Sequence, residues 1–231
     1  MNICIYQGNE KILPRSNVNI VIDVLRAFTT CYYAFCVGAK AIYLAQDIPE
    51  AQLLQRSISN SLLIGEKNGY KIEEFDYGNS PVDISKINLR SKNIILKTSN
   101  GTKATLNSLN ADHLLVTGFI NMESVIRYVT YISQKEDIDL VNIVASDPIS
   151  DDDLVCAEYI QDRLTGKGEL SMEDCRIRIK ESKAAQKFVD PTNTYFKRQD
   201  LDLAIQDHKS NFVMTVKTTD QIKIEKHEFD F

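Results

Sequence analysis

Histidine is scarce in this 231-residue chain, and His113, His208 and His227 are scattered, none in a Gly- or Asp-rich loop. That argues against a histidine-based nucleophile and against a zinc site. Acid–base work then falls to carboxylates, cysteine or metal-bound water. The five cysteines, Cys4, Cys31, Cys36, Cys156 and Cys175, form no C-x-x-C pair, the pattern of reduced thiols in a cytoplasmic protein. No Lys/Arg-rich block occurs, and 32 acidic against 27 basic residues give a net charge of −5. Nucleic acid is therefore not an expected partner, and any anionic ligand must be held by local groups. No basic segment precedes an apolar stretch at the N-terminus. The longest greasy segment, Cys31 to Ala45, is too short to span a bilayer and contains Lys40. A soluble, intracellular protein without a membrane partner is expected.

What is present is a large apolar fraction, 43%, enough to bury a full core, and the whole chain, 1–231, is read as one domain. Short apolar runs predict strands near Ile3 to Tyr6, Val18 to Asp23, Ala41 to Ala45, Leu62 to Glu66, Asn93 to Lys97, His113 to Thr117 and Leu140 to Ala145. Helical spacing predicts Phe28 to Val37, Pro49 to Ser57, Gly101 to Leu109, Met122 to Gln134 and Asp152 to Leu164 between them. The alternation implies a layered α/β fold with a mixed, largely parallel sheet. Lys67 to Asn88 breaks the rhythm, and a long loop inside a compact domain is more often functional than idle. After Gly166 the texture becomes less typical: a charged helical region from Ser171 to Phe188, a short helix near Leu201 to Asp207, then two terminal strands. Asn211 to Lys217 and Ile222 to Phe229 alternate apolar and polar residues as edge or half-exposed strands do.

The densest polar cluster lies at Asn19 to Thr30, where an apolar strand runs into Asp23, Arg26, Thr29 and Thr30 before a helix begins. In open α/β sheets this edge is the usual ligand crevice. A carboxylate there can hold a hard metal ion, and an Arg fork with first-turn amides can hold a phosphate. Several phosphate chemistries fail on spacing. Gly101-Thr102-Lys103 has the wrong order for a Walker loop. Six residues after each cysteine stand Glu10, Val37, Ile42, Asp162 and Glu181, never the Arg of a cysteine phosphatase. Leu25 occupies the place of the second Asp that haloacid-dehalogenase phosphatases require.

Four further segments place polar groups just past a strand. Gly65 to Gly69 ends one with Glu66 and Lys67. Asn79-Ser80-Pro81 reads as a capping turn at least as readily as a ligand loop. Thr98 to Thr102 offers an amide-rich anion cradle, or a plain capped helix start. Asp151, Asp152 and Asp153 suit the dipole of the helix they open, with a metal role for Asp152 or Asp153 as the alternative.

In this order the five segments resemble the 2-phosphosulfolactate phosphatase (ComB-like) family over most of the first 165 residues. Its Asp-Val-Leu-Arg-Ala is matched at Asp23 to Ala27, its Gly-Glu-Arg-x-Gly at Gly65 to Gly69, and its Phe-Asp-x-Gly-Asn-Ser-Pro at Phe75 to Pro81. Its Thr-Thr-Asn-Gly-Thr is matched at Thr98 to Thr102, and its acidic pair before a Cys-Ala helix at Asp152-Asp153 and Cys156-Ala157. The resemblance implies a three-layer α/β/α fold and Mg²⁺-dependent hydrolysis of (R)-2-phospho-3-sulfolactate to 3-sulfolactate and phosphate. It implies Asp23, Glu66 and Asp153 as catalytic and metal-holding residues. Arg26, Thr29, Lys67, Asn79, Ser80, Asn100, Gly101 and Thr102 would bind the substrate's oxyanions. Lys67 stands where the family has Arg, Ser146 where it has Gly, and Glu158 where a Gly follows Cys-Ala. A non-catalytic anion-binding homologue and a phosphatase for another small phosphoester are the competing readings, and a homodimeric state is left open.

Overall fold

Runs rich in Ile and Val, too short for helices, pair as strands whose two faces are both covered. The computed structural model describes residues 1–229. Its strands are β1 (Asn2–Gln7), β2 (Ser16–Ile22), β3 (Ala41–Leu44), β4 (Ser61–Lys67), β5 (Tyr70–Lys71), β6 (Asn93–Lys97), β7 (Ala111–Thr117), β8 (Leu140–Ala145), β9 (Phe212–Thr218) and β10 (Ile222–Glu228). The helices are α1 (Ala27–Cys36), α2 (Ile48–Ser57), α3 (Pro81–Ile84), α4 (Gly101–Leu106), α5 (Met122–Ser133), α6 (Asp151–Leu164), α7 (Met172–Glu181), α8 (Lys183–Val189) and α9 (Arg198–Ala204). The strands join in one sheet, β1-β8-β2-β7-β9-β10-β3-β6-β4-β5.

Helices cover both faces. Val18, Ile20 and Ile22 of β2 pack with apolar residues of α5 and α6, whereas Val21 between them packs with those of α1 and α4. This period of two is the strand's own geometry: successive side chains point to opposite faces. A third cluster joins Ala51 and Leu54 of α2 to Leu63 and Ile95 of β4 and β6.

Of the two readings of the terminal strands, edge or half-exposed, the structure shows the second. They do not lie at an edge: β9 pairs antiparallel with β7, β10 with β9, and β10 with β3. They thus join two parallel sets, β1-β8-β2-β7 and β3-β6-β4. The alternation that suggested an edge records exposure of their far ends; β9 is buried through its first five residues and exposed in its last two. Alternation specifies which face is wet and says nothing about which strands stand alongside. The predicted single helical region Ser171 to Phe188 is also broken, at Ser182, whose extended backbone ends α7 and whose hydroxyl accepts from the Ala185 amide to cap α8.

Three antiparallel pairings set the two parallel groups in opposite senses along the sheet. Their carboxyl ends nevertheless meet, since Asp23, after β2, accepts from the Gly101 amide, after β6, and it is there that the polar segments gather.

Candidate active site

Asp23 follows the last residue of β2 and is 6% exposed. Its Oδ1 accepts from the Ala27 amide at 2.8 Å, in the first turn of α1, and its Oδ2 accepts from the Gly101 amide at 2.9 Å, at the start of α4. One carboxylate therefore ties together two of the polar segments. Gly101 is needed for this: a Cβ there would lie 2.6 Å from Asp23 Oδ2 and 3.0 Å from the Ala27 side chain. Between Asp23 and α1, the Leu25–Arg26 peptide bond is cis.

Glu66 is held in the same manner by the β4–β5 hairpin and the loop after β6. Its carboxylate accepts from the amides of Gly69 and Ser99 and, at 3.0 Å, from the Ser99 hydroxyl. The hairpin turns through Asn68 (φ 54°) and Gly69 (φ 88°), left-handed conformations in which Gly and Asn are the least strained residues. Gly65 is required by close approach, since a Cβ would stand 2.2 Å from the Lys97 carbonyl oxygen of the paired strand β6. The segment Lys67 to Asn88 is thus a hairpin plus α3, with Glu66 at its root.

Asp153 links the Asp23 loop to the loop after β8. Its Oδ1 accepts from the Val24 amide at 2.8 Å, and its Oδ2 from the Ser146 hydroxyl at 2.9 Å and the Asp147 amide at 3.0 Å. Ser146, where the family has Gly, therefore supplies a hydrogen bond to that carboxylate. Glu158, the other departure on α6, pairs with Arg178. Asp147 accepts from the Asn100 amide group at 3.2 Å, and Asn100 accepts in turn from Asn9 at 2.8 Å.

Crowding of buried acids sets their protonation. Burial raises the Asp23 pKa from 3.8 to about 7, with Asp152 and Glu66 adding to the rise and the Ala27 and Gly101 amides opposing it. Asp152 rises to about 6, again chiefly through burial, while its bond from the Ser150 hydroxyl opposes the rise. Burial, then Asp152 and Asp23, push Asp153 well above the usual carboxylate range. In the metal-free protein these groups hold protons that the unfolded chain releases near 3.8, so their contribution to stability is complete below that pH and is lost as pH rises through about 7. The melting temperature of the metal-stripped protein is expected to fall between pH 5 and pH 8, and Asp23→Asn, which cannot ionise, is expected to flatten that fall. An equal slope in the variant would contradict the assignment.

Arg26 is 5% exposed and committed on every side. Nη1 meets Asp200 Oδ2 at 2.8 Å in a buried ion pair, Nη2 donates to the Gly69 carbonyl at 2.9 Å, and the rings of Phe188 and Phe196 each lie 5.2 Å away. Asp200 Oδ1 accepts from the Ser80 hydroxyl at 2.7 Å and the Val82 amide at 3.1 Å. Ser80 also caps α3, accepting from Asp83, so the capping reading of Asn79-Ser80-Pro81 describes it.

These elements enclose a cavity of about 230 Å³ lined by Asp23, Arg26, Glu66, Asn79, Asn100, Ser99, Asp147 and Lys187, with Leu25, Asn68 and Gly69. Asn79 is 4% exposed, and its Oδ1 has no hydrogen-bond partner. Of the residues singled out in the sequence, Asp23, Arg26, Glu66, Asn79 and Asn100 share this lining, and Gly101 reaches it through its amide to Asp23. The remaining five lie elsewhere. Thr29 donates to the Val24 carbonyl, Thr102 exchanges hydrogen bonds with Thr98, Ser80 is bonded to Asp200, Asp153 is held by the groups named above, and Lys67 is exposed on the hairpin. The sequence reading passed over Asp147, Ser99, Lys187 and Asp200. Ser99 sits inside a segment already marked and Asp147 lies four residues before another; Lys187 and Asp200 come from the C-terminal part, where charged helices carry no spacing that marks a site.

The carboxylates fit a hard cation of one kind. Among the described residues no three His, Cys, Asp or Glu side chains form a metal-holding group on their own. Mg²⁺ does not need one, since it is usually held by one or two carboxylates with waters and substrate oxygens completing its shell. Asp23, Glu66 and Asn79 bring oxygen-bearing side chains to the lining of one cavity, which suits that ion.

A twisted mixed sheet whose strand ends gather carboxylates, helix N-terminal amides and an Arg around a small polar cavity defines an α/β protein built to handle oxyanions. The chain belongs to the 2-phosphosulpholactate phosphatase family, which matches residues 6–219. It is 40% identical over 222 residues, 96% of either chain, to a probable 2-phosphosulfolactate phosphatase of Bacillus subtilis (strain 168). Proteins of the same description from Caldicellulosiruptor saccharolyticus and Carboxydothermus hydrogenoformans are each 36% identical, over 62% and 67% of this chain and 60% and 63% of theirs.

Proposed function

We propose that the protein is a Mg²⁺-dependent phosphoric monoester hydrolase that converts (R)-2-phospho-3-sulfolactate to 3-sulfolactate and phosphate. The observation that carries this reading is the convergence of Asp23 and Glu66, each fixed by backbone amides, with Asn79 on one polar cavity. Membership of the family and the printed descriptions of its relatives support the substrate. Asp23, Glu66 and Asn79 would hold the metal, which when bound neutralises phosphate charge and activates water. The chain's own groups do the rest. Ser99 and the Gly69 and Gly101 amides fix the two carboxylates in place, and Arg26, held by Asp200 and the Gly69 carbonyl, lines one wall. No helix among the described residues is long and apolar enough to cross a membrane, and all five cysteines are free, which supports a reducing compartment such as the cytoplasm.

The test is phosphate release by the purified chain with Mg²⁺ across a panel of small phosphoesters. Phosphosulfolactate is expected to give the highest kcat/KM; release from none of the panel would refute the reading. Gly101→Ala supplies a finer check. A displacement of Asp23 by a fraction of an ångström to one ångström is expected to lower kcat about 100-fold, while circular dichroism stays native. Full activity would show that Asp23 need not occupy its observed place.

A further inference from the structure

Two cations line the cavity, and their surroundings differ. Arg26 has its charge matched by Asp200, and its guanidinium lies 5.2 Å from the centres of two rings that pack edge to face against each other. Lys187 projects from α8 with Nζ 4.9 Å from the centre of the Phe196 ring and 5.5 Å from that of Phe188. Among the described residues, no carboxylate, carbonyl or hydroxyl accepts a hydrogen bond from its ammonium. Its three donors thus face a polar cavity with no protein acceptor among the described residues. Burial, and then the neighbouring Arg26, lower its pKa, while the charges of Asp152, Asp23 and Glu66 oppose the shift.

A Cβ on Gly69 would lie 3.7 Å from Lys187 Nζ, which places the ammonium by the hairpin turn whose Gly69 amide also holds Glu66. On the phosphatase reading the phosphate falls to the metal that Asp23, Glu66 and Asn79 would hold, which leaves the Lys187 ammonium for another acid group of the substrate. A substrate with phosphate, sulfonate and carboxylate groups brings several negative charges into a cavity that already carries Asp23, Glu66 and Asp147. Lys187 is the lining cation whose charge no direct ion pair has matched.

We propose that Lys187 is a substrate-binding residue that holds the acid group not transferred in the reaction, and thereby selects phosphoesters carrying a second acid. The proposal rests on the phosphatase reading above. It assigns to the C-terminal part of the chain a role in specificity, where the sequence motifs gave it none.

The experiment measures kcat and KM for wild type, Lys187→Met and Lys187→Arg with three substrates: phosphosulfolactate, 2-phospholactate, which lacks the sulfonate, and 2-phosphooxyethanesulfonate, which lacks the carboxylate. Losing a charge-assisted bond should raise KM for phosphosulfolactate roughly 10- to 100-fold in Lys187→Met, with most of the effect in KM, not kcat. Lys187→Arg should recover most of it. The penalty should shrink for whichever substrate lacks the group that Lys187 holds, which identifies that group. An equal penalty on all three substrates would place Lys187 on the phosphate and overturn the proposal, as would an unchanged KM or a loss confined to kcat. Thermal melts report folding, and Lys187→Gln replaces the Met variant if that one unfolds. Should the wild type release no phosphate, the phosphatase reading fails, and calorimetry with 3-sulfolactate then decides on Lys187. Binding weakened tenfold or more by Lys187→Met supports the proposal, and unchanged binding, or none to wild type, overturns it.

Discussion

Asp23→Asn is expected to lower phosphate release by a factor on the order of 10² to 10⁴, the range for loss of a positioned acid–base group or a metal-holding carboxylate, while the fold persists. The prediction separates charge from shape. The amide keeps the size of the carboxylate, and its oxygen can still accept one of the two bonds from Ala27 and Gly101. It presents an N–H in place of the second acceptor, so local geometry loosens there, and it removes the negative charge that a cation needs. Because burial raises the Asp23 pKa to about 7, the neutral residue spares the metal-free protein the cost of ionising this site at pH 8, and stability there should hold or rise. Circular dichroism and melting curves check the fold, and a phosphate-release assay checks the rate. An inactive but unfolded variant would say nothing for catalysis, whereas a folded variant with wild-type rate would remove Asp23 from the chemistry.

Asp200→Ala is expected to destabilise the protein by about 3–5 kcal/mol, the usual effect of removing one partner of a buried ion pair. In a chain of this size that lowers the melting temperature by on the order of 10 °C. Asp200 is 0% exposed, and its two oxygens serve Arg26, Ser80 and the Val82 amide. Truncation therefore strands the Arg26 guanidinium in a poorly solvated place and leaves a hydroxyl and an amide without an acceptor. Replacing both charges, with Arg26→Met and Asp200→Leu together, should recover much of the loss, since the pair itself yields little net stability once desolvation is counted. Urea or thermal unfolding of the two variants tests this, and a loss under 1 kcal/mol in Asp200→Ala would contradict a clamped Arg26.

These two residues also mark what the sequence made legible. Asp23 was visible because its signal is local: an apolar strand, then a carboxylate, then a helix start, a pattern that places a side chain at a sheet's carboxyl edge without knowledge of the rest. The same holds for Glu66, at the end of β4, and for Asn100, in the turn between β6 and α4, whereas Asn79 showed only as part of a capping turn before α3. Whether such loops meet depends on strand order and twist, which no single segment encodes. The resemblance to a family supplied the convergence that local patterns could not. Asp200 was not legible, because its partners Arg26 and Ser80 lie 174 and 120 residues away and it sits in a charged helix like many surface helices. Lys187 is hidden for the same reason. The capping reading of Ser80 describes its geometry, yet its hydroxyl also reaches Asp200, so a structural cap and a tie to the Arg26 clamp coincide in one residue. The terminal strands were recognisable as strands, half-exposed as their alternation implies, but their place in the middle of the sheet was not legible, because alternation constrains a strand's faces and leaves its neighbours free.

The account stands on carboxylates that serve chemistry through a cation, and one titration tests it most directly. Mg²⁺ is added stepwise to the EDTA-stripped protein at fixed pH, and the initial rate of phosphate release from phosphosulfolactate is followed. The account predicts negligible release without metal and a saturable rise with Mg²⁺ in the wild type. A rate indifferent to Mg²⁺, or no release at any concentration, would contradict it.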